Sequence, residues 1–164
     1  MIEKIETQLE QLKNNISFHD RLRPEISKSN VGWHIEHSLL TIEKIIERLG
    51  QTNSKDYKRK FNFAKLFVFV TNKIPKGRAE APKQVRPTTE ISSESLGQHW
   101  NSTNNKMDSL IALSPDQYFE HPYFGHLKLK QAIKFLAIHT RHHLKIIEQI
   151  KSSKSILHVH SLTP

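Results

Sequence analysis

Two histidines near the C-terminal end of the chain stand one helical turn apart. His139 and His143 are separated by four positions, in a stretch whose apolar residues recur every three or four positions. On an α-helix, residues at this spacing lie about 40° apart around the axis and project from one face. Two neighbouring imidazoles can hold one metal ion at metal–nitrogen distances of about 2.0–2.1 Å. The pair therefore predicts a metal site whose third ligand comes from another segment.

A helical wheel of the last long helix separates its three clustered histidines. The apolar stripe of this wheel contains Leu129, Ile133, Leu136, Leu144, Ile147 and Ile150. His143 falls inside the stripe, His139 lies at its edge, and His142 points toward the polar rim. A buried imidazole needs partners for its nitrogens. Two inward histidines one turn apart therefore favour metal binding over a packing role.

The second helix offers two candidates for the third ligand, His34 and His37. On its wheel His34 lies nearer the apolar face, so geometry alone prefers His34, and both stay open at this point. His99 is interpreted as an ordinary interface residue beside the third helix. The loop residues Tyr123 and Phe124 are expected to cap the helices. No pattern supports a role for His19, His158 or His160, although His158 and His160 could bind metal adventitiously. His121 and His126 flank the loop that contains Tyr123 and Phe124.

Composition restricts the chemistry of any site. The chain has 164 residues, 36% of them hydrophobic, with eleven histidines and no cysteine. A thiolate ligand or a cysteine nucleophile is therefore excluded, and a metal would be held by nitrogen and oxygen. The sequence has no apolar run of about 18 residues and no recognisable export signal at its start. These features lead us to expect a cytoplasmic protein that does not enter a membrane.

The positive charge is concentrated in one segment. The net charge is +9, and residues 56–87 contain nine Lys or Arg against Asp56 and Glu80, a net charge of +7. Such a segment can attract phosphate, nucleic acid or an anionic substrate. Because no known nucleic-acid-binding signature accompanies the charge, we interpret the segment as a solvated connection, and nucleic acid is not the expected partner.

Apolar periodicity predicts four long amphipathic helices. They are expected at about residues 2–16, 31–49, 90–113 and 128–151. The apolar pattern of residues 58–73 is ambiguous between a short helix and a strand, and a short helix is favoured. The proline-rich stretch 74–88 and residues 115–127 are expected to be irregular. The sequence therefore predicts one all-α domain over residues 1–164. It would be a four-helix bundle with a long irregular connection between helices 2 and 3.

Two helix ends carry recognisable signals. Gly50 is predicted to end the second helix. Thr89 or Ser92 is predicted to begin the third, since hydroxyl side chains accept hydrogen bonds from the first free backbone amides. An apolar stripe of the third helix, Leu96, Trp100, Thr103, Met107, Leu110 and Ile111, is expected to face the core.

The motifs of the last loop and helix point to a known family. The loop reads His-Pro-Tyr-Phe-Gly over residues 121–125 and is followed by the His139–His143 pair, and Gly32 stands five residues before His37. With the proline-rich connection, these features resemble the DinB-like (YfiT-like) metal-binding four-helix bundle superfamily. They are most similar to a branch with a His-Pro-aromatic-Phe-Gly loop. The resemblance spans about residues 30–150.

The resemblance implies a site and a class of chemistry. Its metal triad carries over onto His37, His139 and His143, so for the second helix it replaces the wheel's preference for His34. It implies a divalent ion, zinc or nickel, with positions open to water or substrate. Relatives include transferases and isomerases that use low-molecular-weight thiols, and others that resemble hydrolases, but a shared fold does not specify the substrate.

Three functional hypotheses follow. The first is a metal-dependent transferase or hydrolase acting on a small molecule; a thiol would be supplied as a cofactor, since the chain has no cysteine. Glu36 and Glu43 flank His37, but their angles do not single out a general base. The second is a non-catalytic metal- or ligand-binding bundle, or a basic nucleic-acid-binding module. The third is a structural bundle, with homodimerisation through an exposed helix face.

Overall fold

The computed structural model describes residues 1–75, 80–88 and 90–152, and this part of the chain is mostly helical. The helices are α1 (Ile2–Lys13), α2 (Val31–Gln51), α3 (Phe63–Thr71), α4 (Ser93–Lys106), α5 (Ser109–Ala112) and α6 (Leu129–Ser152). Two short strands, β1 (Tyr118–His121) and β2 (Gly125–Lys128), form an antiparallel pair. The predicted cap Thr89, the basic residues Lys76 and Arg78, and His158 and His160 lie outside the described residues.

The four longest helices enclose the core. α2 packs against α4 and α6, and α1 packs against the same two helices. The predicted stripes supply fully buried residues, among them Leu9 of α1, Leu39 of α2, Leu96 of α4 and Leu136 of α6. Burying an aliphatic side chain of this size stabilises the fold by about 1.5–3 kcal/mol. In the described part of the chain no helix is long and apolar enough to cross a membrane.

The helix ends agree with the sequence in one case and differ in another. Ser92 caps α4, where its side chain accepts from Ser95 N and the Ser95 side chain reaches back to the Ser92 amide. The prediction that Gly50 ends α2 is wrong, because the helix continues to Gln51 and is capped by Thr52. Tyr118 N donates to Thr52 Oγ1, and the Thr52 hydroxyl donates to Tyr118 O at 2.6 Å. A tertiary contact with β1 therefore holds this helix end.

The segment after α4 differs from the sequence prediction in two ways. Residues 115–127, expected to be an irregular loop, contain most of the β1–β2 hairpin, in which Phe119 faces Leu127 and Gly125 turns with φ of 67°. The predicted third helix is also interrupted after Lys106, since Met107 N bonds to Asn104 O in a tightened last turn. As a result Ile111, expected in the core, is exposed.

Candidate metal centre

Three histidines from two packed helices meet in the core. His37 of α2 and His139 and His143 of α6 each present one ring nitrogen, and these three atoms all lie within 4.8 Å of one another. His37 and His143 are buried, whereas His139 is partly exposed. The arrangement depends on the close packing of α2 along α6. The structure therefore brings together the three residues that the resemblance implied.

The ring of His37 is held in one orientation. Its Nδ1 lies 2.7 Å from Val85 O. A carbonyl oxygen only accepts, so Nδ1 carries the proton and donates. The ring also stacks on Trp33, with ring centroids 4.9 Å apart and an interplanar angle of 18°. These contacts leave the unprotonated Nε2 facing His139, and a partner on the outer nitrogen is typical of metal-bound histidines.

The spacing of the facing nitrogens fits a single ion. His37 Nε2 and His139 Nε2 lie 3.2 Å apart. Two nitrogens bound at 2.0–2.1 Å to one tetrahedral ion would be separated by about 3.3 Å. His139 Nδ1, by contrast, is buried without a hydrogen-bond partner among the described residues. Of the three rings, His139 is thus the one whose outer nitrogen has no hydrogen-bond partner in the described part of the chain.

His34 lies behind the cluster rather than in it. Its Nδ1 is 3.0 Å from His143 Nδ1, and its Nε2 is 2.9 Å from Ser27 Oγ. Two sets of tautomers satisfy this chain, and in the set that suits metal binding His143 Nδ1–H donates to His34 and His34 Nε2–H donates to Ser27. That set leaves His143 Nε2 unprotonated. The wheel's preference for His34 does not identify the clustered residue, because both side chains are buried.

Burial favours the neutral form of the three histidines. Desolvation lowers the pKa of His37, against the opposing effect of the hydrogen bond to Val85. Desolvation, followed by repulsion from the neighbouring histidines, holds the pKa values of His139 and His143 well below their ordinary range. Neutral imidazoles keep a lone pair for a metal at neutral pH.

The hairpin loop forms an aromatic wall beside the cluster. His121 stacks on Phe124 with centroids 4.3 Å apart, and Phe135 connects His121 to His139 through centroid distances of 4.6 and 5.6 Å. The backbone amides of Tyr123 and Phe124 donate to His121 Nδ1. Burial lowers the pKa of His121 to about 4. Phe124 is buried as expected of a cap, whereas Tyr123 is exposed.

The two glutamates that flank His37 in sequence face a different helix. Glu36 accepts from His99 Nδ1 at 2.8 Å, and Glu43 pairs with Lys106 at 2.7 Å. Both contacts join α2 to α4, which confirms His99 as an interface residue. In the described part of the chain, the group of potential ligands contains no carboxylate. Both glutamates thus contact α4 and are not among the clustered groups.

The remaining described histidines also lie outside the cluster. His19 Nδ1 is 3.1 Å from Ser93 Oγ, and His126 Nδ1 accepts from Lys58 N. The ring of His142 meets that of His143 edge to face, with centroids 5.2 Å apart, but His142 is not one of the grouped ligand atoms. This agrees with the position of His142 toward the polar rim of the helical wheel.

Fold and site together define a helical protein with a buried three-histidine cluster between two of its helices. The family model of the DinB superfamily matches residues 9–147, and the chain belongs to this superfamily. Comparisons with curated proteins and with solved structures give no match.

Proposed function

We propose that this DinB-superfamily protein is a metal-dependent enzyme that binds one divalent ion, zinc or nickel, through His37, His139 and His143. The observation that carries the proposal is the convergence of three imidazoles from α2 and α6, with one nitrogen of each within 4.8 Å of the others. The donor set suits this role, because imidazole nitrogen is a good ligand for both ions. We further propose that the four long helices form a single four-helix bundle domain, in which such sites are built from facing helices.

The ligand count favours catalysis over a purely structural role. Structural zinc sites are closed by four protein ligands, whereas catalytic sites use three and leave a position open. When bound, a divalent ion supplies Lewis acidity and lowers the pKa of a water or thiol that binds beside it. Partly exposed His139 marks the side from which a small molecule could reach the cluster.

The residues around the cluster would hold the ligands in place. Val85 and Trp33 fix the ring of His37, and His34 would accept from His143 Nδ1 when a metal binds His143 Nε2. The aromatic wall that contains Phe135 and His121 shields one side from water. A thiol used in a transfer reaction would come from a small cofactor, since the chain has no cysteine. This set of roles suits a thiol-dependent transferase or a hydrolase.

A non-catalytic metal-binding bundle is the second candidate. It is favoured by one observation: no carboxylate accompanies the three histidines in the described residues. A hydrolase of this type commonly uses a carboxylate as general base. A thiol transferase has less need of a general base, because a thiol bound to a metal is already deprotonated.

Cobalt(II)-loaded protein separates these candidates. Addition of a low-molecular-weight thiol should produce a sulfur-to-cobalt charge-transfer absorption if the open position accepts a thiol, and His139→Ala should abolish it. Transfer of that thiol to a reactive electrophile should then depend on the same three histidines. If added thiol does not change the cobalt absorption spectrum, and the protein catalyses neither thiol transfer nor ester hydrolysis, the non-catalytic bundle would be favoured.

A further inference from the structure

The outward face of α3 exposes an apolar stripe. Its members are Phe63, Leu66, Phe67 and Val70, spaced i, i+3, i+4 and i+7, and each is between 48% and 78% exposed. On an α-helix these positions fall within an arc of about 100°. Phe61, just before the helix, is exposed beside Phe63, with ring centroids 4.8 Å apart. The spacing is that of a face that packs against another helix.

The opposite side of α3 is anchored to the protein. Val68 is buried, and Phe69 meets Phe124 of the hairpin loop with ring centroids 6.3 Å apart. The Lys65 side chain turns toward the hairpin, where its Nζ lies 3.4 Å from His126 O. The helix is thus apolar on two faces, and a helix of this kind is normally covered on both.

The exposed surface is large enough for a specific contact. With about 200 Å² for each phenylalanine and somewhat less for leucine and valine, the stripe and Phe61 expose roughly 600 Å². That is the upper end of what a monomer ordinarily exposes in one apolar patch. Two copies would together bury roughly 1,200 Å², the lower end of the range for specific interfaces. The exposed ring of Tyr123, whose backbone oxygen accepts from Asn62 of the same region, adds to this area.

We propose that two copies of the chain associate through this face, with their α3 helices antiparallel about a two-fold axis. The stripe itself carries no charged residue, and the exposed cations Lys58, Arg59 and Lys60 all precede the helix. A parallel pairing would bring these two basic clusters together. In the antiparallel pairing each cluster lies beside the C-terminal carbonyls of the other α3, which carry partial negative charge.

Distance further reduces repulsion in the antiparallel arrangement. The nine residues of α3 extend over about 14 Å, which exceeds a Debye length of about 10 Å at 0.1 M salt. The two clusters would therefore be separated by more than the range of their repulsion. Lys73, which follows the helix, is the single cation in the described residues of that end. The charge distribution thus selects the antiparallel form over the parallel one.

The first test is the oligomeric state of purified protein by light scattering coupled to size exclusion. Wild-type protein should be a dimer at micromolar concentration, and the double variant Phe63→Ser with Phe67→Ser should be a monomer with an unchanged helical circular dichroism spectrum. Ile111→Ser is the matched control, because Ile111 is 70% exposed but lies outside α3. It should remain a dimer. A monomeric wild type would overturn the proposal.

Single cysteines test the geometry, since the native chain has none. In an antiparallel pair the middle of the stripe meets its own copy, and the ends meet each other. Leu66→Cys or Phe67→Cys should form disulfide-linked dimers on mild oxidation. Phe63→Cys should do so only when mixed with Val70→Cys. Self-linking at all four positions would indicate a parallel pair and overturn the proposal. A monomer that sediments with anionic phospholipid vesicles through this face would also overturn it.

Discussion

Replacing His34 by leucine should weaken metal binding although His34 is not one of the three proposed ligands. His34 Nδ1 lies 3.0 Å from His143 Nδ1, and both side chains are buried. Without this acceptor the His143 N–H would be buried and unpaired, at a cost of about 1–3 kcal/mol. At about 1.4 kcal/mol for each tenfold change, the metal affinity should fall roughly 5- to 140-fold. This range matches the effect of losing an outer partner of a ligating histidine.

The assay is competition with a chromophoric chelator, with zinc as the ion. His34→Asn serves as the matched variant, because its side-chain oxygen can stand near the position of Nδ1 and accept from His143. We expect His34→Asn to bind within a few fold of wild type and His34→Leu to show the full loss. Equal, undiminished affinity in both variants would refute the orienting role. Equal loss in both would show that packing, rather than the acceptor, is what matters.

Two further predictions concern stability. Gly32→Ala should destabilise the fold, because an added Cβ would lie 2.8 Å from Ile91 Cγ2 and 3.0 Å from His19 O. Overpacking of this kind costs about 1–3 kcal/mol. Thermal unfolding of the variant and the wild type measures the loss. For His99, burial lowers the pKa, but the hydrogen bond to Glu36 and the charges of Glu36 and Glu43 together outweigh it and raise the pKa overall. The stabilisation relative to His99→Gln should therefore be complete below the ordinary pKa of about 6.5 and disappear as the pH rises through the raised value.

Each of these predictions has a clear contrary result. A Gly32→Ala protein that melts at the wild-type temperature would mean that the Ile91 side chain and the backbone at His19 move aside without cost. Urea unfolding of wild type and His99→Gln at several pH values tests the second prediction. A free-energy difference that does not change with pH would show that proton binding at His99 is not coupled to folding.

Sequence periodicity predicted the long helices well because each carries a continuous apolar stripe. The His139–His143 pair was also recognisable, since both residues lie on one helix whose phase is fixed by its own stripe. The wheel of α2 preferred His34, although it is His37 that lies among the three clustered histidines. Their roles depend on how α2 and α6 are aligned: His34 pairs with His143 and His37 with His139, so the two helices run antiparallel at the site.

The features missed from sequence depend on contacts between distant segments. Val85 reaches His37 from the irregular connection, 48 positions away, and no periodic pattern signals such a contact. The β1–β2 hairpin was missed because its strands have four residues each, too short for alternation to show. The helix α3 remained ambiguous in sequence because two of its faces are apolar, and only the structure shows which one is covered.

The most direct test of the central claim is the metal content of the purified protein. Elemental mass spectrometry on tag-free protein should find about one zinc or nickel ion per chain, the stoichiometry of a three-histidine site. His37→Ala, His139→Ala and His143→Ala should each lose the ion, and His142→Ala, one position from a proposed ligand, should retain it. A wild-type protein that contains no metal and takes up neither zinc nor nickel would contradict the account.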